Sequence, residues 1–312
     1  MYWLLTSYKR LSIALLAVAL LSACSTKKKE NNSKPLIVCT TGMIGDAVKN
    51  IVGDYAEVHT LMGPGVDPHL YKATHGDLVK FQEADIVVYN GLHLEGKMGE
   101  VLEKVGKKKP VIAVAEKLDK ERLINNTSFQ GAYDPHIWFD VALWNDALLG
   151  LAEGLSSEVE APVGVIMNNY NVYTAKLDSL HLAVEESINT IPRKQRKLVT
   201  AHDAFAYFGK AYGIQVKGLQ GISTLSEFGL RDVSELVDYI VENKIPSIYT
   251  ETSVSKKSIE AVVVGVKAKG FEVQLGGSLY SDAMGENGTP EGTYIGMVNA
   301  NVRKIVSGLS RK

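Results

Sequence analysis

Two short segments of this 312-residue chain nearly repeat each other, DPHLY at 67–71 and DPHIW at 134–138. Each sets a histidine directly after an Asp-Pro pair and follows it with an aliphatic and an aromatic residue. Proline fixes its own φ and pushes the preceding residue toward extended backbone, so both loops are stiff where His69 and His136 emerge. A stiff holder suits a ligand, because little conformational entropy remains to be lost on binding. The adjacent Asp67 and Asp134 are placed to orient an imidazole N–H. Asp-Pro is also a good turn in its own right, which accounts for one copy and strains at two.

Other residues join these two by position. His202 closes the apolar run KLVTAH and precedes a helical pattern for which Asp203 is a natural N-cap. Open parallel sheets bind ligands beyond the carboxyl ends of their strands, where His202 falls. Asp282 in LGGSLYSDAMG follows another strand-like run, and Glu251 closes SIYTE as a reserve ligand or a supporting carboxylate. Three imidazoles and one carboxylate, without a thiolate, suit zinc, manganese or another divalent first-row metal. Spacing alone does not single out Asp282 from the 35 acidic residues. His59, His75 and His181 read as solvent-facing, and His93, just after a strand end, as peripheral.

The elements that must carry these side chains alternate along the chain. Strand-like runs at 36–41, 58–62, 85–90 and 110–115 are separated by helical spacing, and the pattern returns at 196–202, 214–219, 246–251 and 271–277. That alternation predicts an α/β fold of two parallel-sheet lobes. Between the halves, Ile166, Tyr170, Tyr173, Leu177, Leu180, Val184 and Ile188 recur by threes and fours. They predict one long amphipathic backbone helix with Pro162 in its first turn, spanning roughly 40 Å. The alternative is two helices broken near Asn168 and Asn169. The expected divisions are an N-terminal lobe at 35–159, a linking helix at 160–191 that limits hinge opening, and a C-terminal lobe at 192–312.

The N-terminus reads as an address. Lys9 and Arg10 precede an apolar run from Leu11 to Leu20, which ends at LSAC (21–24). The run is short of the roughly 20 residues that a spanning helix needs, so 1–23 is expected to be a signal peptide. The small residues before Cys24 resemble a bacterial lipobox, which implies a lipidated Cys24 and a membrane anchor through lipid. Residues 24–34 then form a flexible tether, about 16–19 Å long as a random coil. Removal of Lys9 and Arg10 takes the formal net charge of −1 to about −3, which gives nucleic-acid binding no support. Cys39 remains as the other cysteine, too few for a disulfide framework or a thiolate metal site, and reads as a small buried hydrophobe.

From Leu36 to Leu309 the chain resembles the zinc/manganese solute-binding lipoproteins of bacterial ABC importers. The resemblance rests on residues 63–95 (GPGVDPHLYKATHGDLVKFQEADIVVYNGLHLE), 134–140 (DPHIWFD), 200–214 (TAHDAFAYFGKAYGI) and 279–309 (LYSDAMGENGTPEGTYIGMVNANVRKIVSGL). It implies two α/β lobes joined by a rigid helix, with one metal in the cleft held by His69, His136, His202 and Asp282. Relatives that favour manganese commonly carry a glutamate at the position of His202, so the histidine here favours zinc over manganese. Zinc importers often carry a His-rich acidic loop before the second ligand, and residues 116–134 contain no histidine. The implied protein is not an enzyme. It is a monomer in the cell envelope outside the cytoplasm, and it hands metal to the membrane subunits of an ABC permease. The rival readings are a secreted metallohydrolase with Glu251 as general base, for which no HExxH motif is present, and an adhesin-type surface lipoprotein with a structural metal.

Overall fold

The computed structural model describes residues 34–125 and 131–310. The signal peptide, Cys24 and all of the expected tether except Lys34 lie outside the described residues. Strands β1 (Leu36–Cys39), β2 (Glu57–Thr60), β3 (Ile86–Tyr89) and β4 (Val111–Ala113) form one parallel sheet in the order β2-β1-β3-β4. Crossover helices α1 (Gly42–Val52), α2 (His75–Glu83) and α3 (Gly99–Gly106) connect them. A reciprocal capping box starts α2, with Thr74 and Asp77 each satisfying the other's backbone amide. Two long helices follow, α4 (Val141–Glu158) and α5 (Val165–Asn189).

The second half pairs β5 (Lys197–His202) with β6 (Gln215–Gln220), and β7 (Ser247–Glu251) with β8 (Gln274–Leu279), both in parallel. Helices α6 (Ala206–Tyr212), α7 (Leu230–Asn243), α8 (Lys257–Ala268) and α9 (Tyr294–Leu309) complete it. Strand β8 begins three residues later than the run 271–277 suggests. Gly270 takes φ 77 and the Phe271 amide still bonds to the Val266 carbonyl, so these residues close α8 before a strand can start.

Alternation along the strands explains the layering. Ile37 and Cys39 of β1 and Ile86 and Val88 of β3 enter one large core, while Val38 and Val87 face an outer cluster with Phe81, Met98 and Leu102. Leu198 and Tyr249 of the second half join that same large core, and Val199, Ala201 and Ile248 face a separate cluster under α7 and α8. Successive strand residues point to opposite faces, so each sheet is covered on both sides. The shared core is continued by Ile166, Tyr173, Leu177, Leu180, Val184 and Ile188 of α5, so one apolar interior runs through both halves.

Two local expectations are corrected. Helix α5 starts at Val165, because Gly164 takes φ 80 and the Val165 amide closes a turn onto the Pro162 carbonyl at 3.1 Å. Pro162 therefore lies in the turn before the helix. There is no break near Asn168 and Asn169, and Asn169 instead donates to the Ile51 carbonyl at the end of α1. The 25 residues of α5 span roughly 38 Å. Asp203 is not an N-cap, since α6 starts at Ala206 and the Asp203 amide extends the β5–β6 ladder to the Gln220 carbonyl.

Leu177 sits fully buried near the middle of α5 in the shared core. Leu177→Ala is expected to cost about 2–5 kcal/mol of apo stability in a urea titration, with near-UV and far-UV dichroism shifting together. Two separated transitions would mean that the halves unfold independently of the shared core.

Candidate metal centre

The two Asp-Pro-His loops use the same local device and then diverge. In both, the Asp Oδ1 accepts the amide of the histidine two residues on, at 2.9 Å in each loop. Asp134 Oδ1 also takes the His136 ring through Nδ1 at 2.7 Å. Asp67 makes no bond to the His69 ring; its Oδ2 accepts the Thr224 hydroxyl at 2.6 Å. The aromatic residues differ as well. Tyr71 donates to Asp77 within the first half, whereas Trp138 Nε1 donates across to the Ser281 carbonyl, next to Asp282. Asn90, at the end of β3, donates to the Pro135 carbonyl and so fastens the second loop from behind.

His202 is the last residue of β5 and Glu251 the last of β7. Glu251 grips His202 with both oxygens, Oε1 accepting the backbone amide at 2.8 Å and Oε2 the ring Nδ1 at 2.5 Å. Asp282 lies beyond the end of β8, where Asn301 of α9 holds Tyr280 by its amide and its carbonyl.

These elements bring His69, His136, His202 and Asp282 together, each no more than 2 % exposed, with potential ligand atoms within 4.8 Å of one another. The Nε2 atoms of His69 and His136 are 3.3 Å apart. Asp282 Oδ1 lies 3.4 Å from His136 Nε2, and Oδ2 lies 3.3 Å from His202 Nε2. A tetrahedral ion with bonds of about 2.0–2.1 Å has ligand edges of roughly 3.3–3.4 Å, so these three spacings suit such an ion. Both Asp282 oxygens and His202 Nε2 are buried without a hydrogen-bond partner. Buried polar atoms are seldom left unpaired, and here all three face the same point. Because each Asp282 oxygen faces a different imidazole, either oxygen can serve as the fourth donor.

Electrostatics divide the three imidazoles. Burial pushes His69 down to about 3, and the neighbouring His136 and His202 add to the effect against the pull of Asp282. Burial also opposes charge on His136, but Asp134 and Asp282 outweigh it and raise the ring to about 9. His202 is raised well above its usual value, with Glu251 and Asp282 overcoming its burial. Asp282, despite burial, is held well below the carboxylate range by His202 and His136. Carboxylates on the Nδ1 atoms of His136 and His202 fix the tautomer that leaves Nε2 for a metal and raise ring basicity.

The remaining histidines lie elsewhere. His59, His75 and His93 are exposed, His93 at φ 65. His181 is half-buried and bonds Tyr212 through Nδ1, contrary to its expected solvent-facing placement. Cys39 is buried in the shared core, and burial pushes its thiol far up. No sequence signal marks Asn90, Thr224 or the crossing from Trp138 to Ser281. Only the aromatic after each histidine hinted at the last of these.

At pH 7 the metal-free cluster holds protons on His136 and His202 and none on His69. Metal capture is therefore expected to release two protons per ion at pH 7, read by titration calorimetry in buffers of different ionisation heat. The count falls toward one as pH rises through about 9. The raised His136 value also favours the folded apo form fully below about 6.5, and that advantage is lost as pH rises through about 9. Glu251→Gln is expected to weaken metal binding by about 10–100-fold in a chelator competition, as loss of an orienting carboxylate does.

Residues 37–308 match the family described as ZnuA, zinc-uptake complex component A, periplasmic. The manganese-binding lipoprotein MntA of Bacillus subtilis (strain 168) is 48% identical over 301 residues, covering 96% of this chain and 98% of its own length. The zinc-binding protein TroA of Treponema pallidum (strain Nichols) is 44% identical over 307 residues, covering 97% and 99%. A solved structure titled as the periplasmic zinc binding protein TroA of Treponema pallidum superimposes with a TM-score of 0.87 at 46% identity. It covers 89% of this chain and 100% of that one.

Proposed function

The chain belongs to the ZnuA family of zinc-uptake complex component A proteins, and from that premise we propose that it captures one divalent transition-metal ion and delivers it to an ABC permease. The observation that carries the reading is the buried group of His69, His136, His202 and Asp282, with unpaired donor atoms facing one point. On this reading the metal is cargo. The part at 35–159 supplies His69 and His136, the part at 192–312 supplies His202 and Asp282, and the helix within 160–191 is the strut between them.

Zinc is the favoured ion over manganese. Three imidazole nitrogens and edges of 3.3–3.4 Å suit a small borderline-soft ion, whereas manganese favours more oxygen ligands. The names of the relatives divide between the two metals, so they do not decide it.

Delivery is favoured over hydrolysis by the state of Glu251. Both its oxygens are engaged by His202 and it is 1 % exposed, which leaves it unfit to take a proton from a metal-bound water. The lipoprotein names of the relatives support a chain held outside the cytoplasm by lipid on Cys24, where it meets the permease membrane subunits; on this reading it acts as a monomer. Among the described residues no helix is long and apolar enough to cross a membrane.

The test is metal content by mass spectrometry after dialysis of residues 25–312 against buffered zinc and manganese together. One zinc per chain is expected, lost in His202→Ala while the apo fold persists by circular dichroism. Retained manganese would reassign the cargo, and turnover of ester or phosphate substrates would favour the hydrolase.

A further inference from the structure

The four residues around the metal point are not held alike. His136 is oriented by Asp134, His202 by Glu251, and the Asp282 loop is tied to the second Asp-Pro-His loop through Trp138 and Ser281. All of these bonds are buried. The His69 ring differs: among the described residues, no carboxylate bonds its Nδ1. Its position depends on the loop that carries it, and that loop is fixed through Asp67.

Asp67 is held from the other half of the molecule. Thr224, 157 positions later, donates its hydroxyl to Asp67 Oδ2 at 2.6 Å, while Asp67 Oδ1 takes the His69 amide. Thr224 belongs to the segment between β6 and α7, and Gln220 at the end of β6 grips that segment through the Thr224 and Ser226 carbonyls at 2.7 Å each. Gln220 pairs in turn with His202 in the β5–β6 ladder. A chain of bonds thus runs from His202 through Gln220, Thr224 and Asp67 to His69, around the outside of the site. The same loop approaches the second half at Gly65, where φ is 70 and an added Cβ would lie 3.3 Å from the Thr252 carbonyl.

Unlike the inner ties, this outer one is only part-buried, and it sits beside the exposed side chains Leu225 and Phe228. A loop that can part from Asp67 without disturbing the shared core frees the one imidazole that lacks its own orienting partner. We propose that Thr224 is a positioning residue that closes the site over His69 and sets how slowly the captured metal leaves. This rests on the cargo reading above. Thr224 touches no metal in this account and acts only through Asp67 and the His69 loop.

The bond ties the His69 loop to the second half in the closed arrangement seen here, so its loss should speed release far more than it changes capture. Zinc-loaded wild type, Thr224→Val, Thr224→Ala and Thr224→Ser are compared by stopped-flow release into excess fluorescent chelator, with association measured separately. Val keeps the volume and Ala removes it, but neither has a hydroxyl. Both are expected to release zinc roughly tenfold faster, the size of one hydrogen bond to a carboxylate, with the association rate unchanged. Thr224→Ser restores the wild-type rate. Unchanged release in Val and Ala overturns the inference, as does failure of Ser to rescue or an equal change in both rates. A wild-type protein that takes up no zinc or manganese overturns the cargo reading, and this inference with it.

Discussion

Everything in this molecule turns on one buried carboxylate. Asp282 is 2 % exposed, its oxygens make no hydrogen bond, and it faces imidazoles at 3.3 and 3.4 Å. Desolvation of an ion costs several kcal/mol, and an opposite charge at that distance returns on the order of 5 kcal/mol at an effective dielectric near 20. One partner is barely enough to hold it ionised. Two raised imidazoles, or a divalent ion, suffice, so the fold has to bring His136 and His202 to the same carboxylate from different halves of the chain.

The α/β architecture meets that demand at strand ends. His202 and Glu251 end strands β5 and β7, so their backbones are fixed by ladders before any side chain is placed, and Asp282 lies just past the end of β8. The first half contributes loops, and loops need stiffening. Proline, the Asp-to-amide bond and the Asn90 and Trp138 ties supply it for His136. One apolar core then runs through both halves with α5 inside it, so the two sets of ligands are referred to a common frame.

How much of this the sequence disclosed follows the range of the interaction. Strand and helix alternation is periodic, and it placed the eight strands among the described residues to within a few residues. The Asp-Pro-His loops are contiguous, and their stiffness could be argued from proline alone. Asp282 follows a strand-like run, but spacing could not single it out among the acidic residues, and resemblance to a family did. Thr224, Ser281 and Asn90 act on partners 157, 143 and 45 positions away, and nothing in their own neighbourhood marks them. Asp203 and Pro162 failed for the opposite reason, because good local signals were overruled by a continuing ladder and by a left-handed glycine.

The protonation of the metal-free cluster bears on whether cargo can leave without the fold leaving with it. His136 and His202 each carry a proton near neutral pH, while His69 does not. Arrival of a divalent ion that displaced both protons would leave the net charge enclosed around Asp282 unchanged. A structural zinc site draws its folding free energy from the metal and unfolds when stripped. Here the imidazolium protons stand in for the metal electrostatically, with Asp134 and Glu251 at their backs, and the empty site remains a balanced one. What distinguishes the loaded state is then geometry, namely how firmly the loops are drawn to a single point, and geometry is something a partner at the surface can sense.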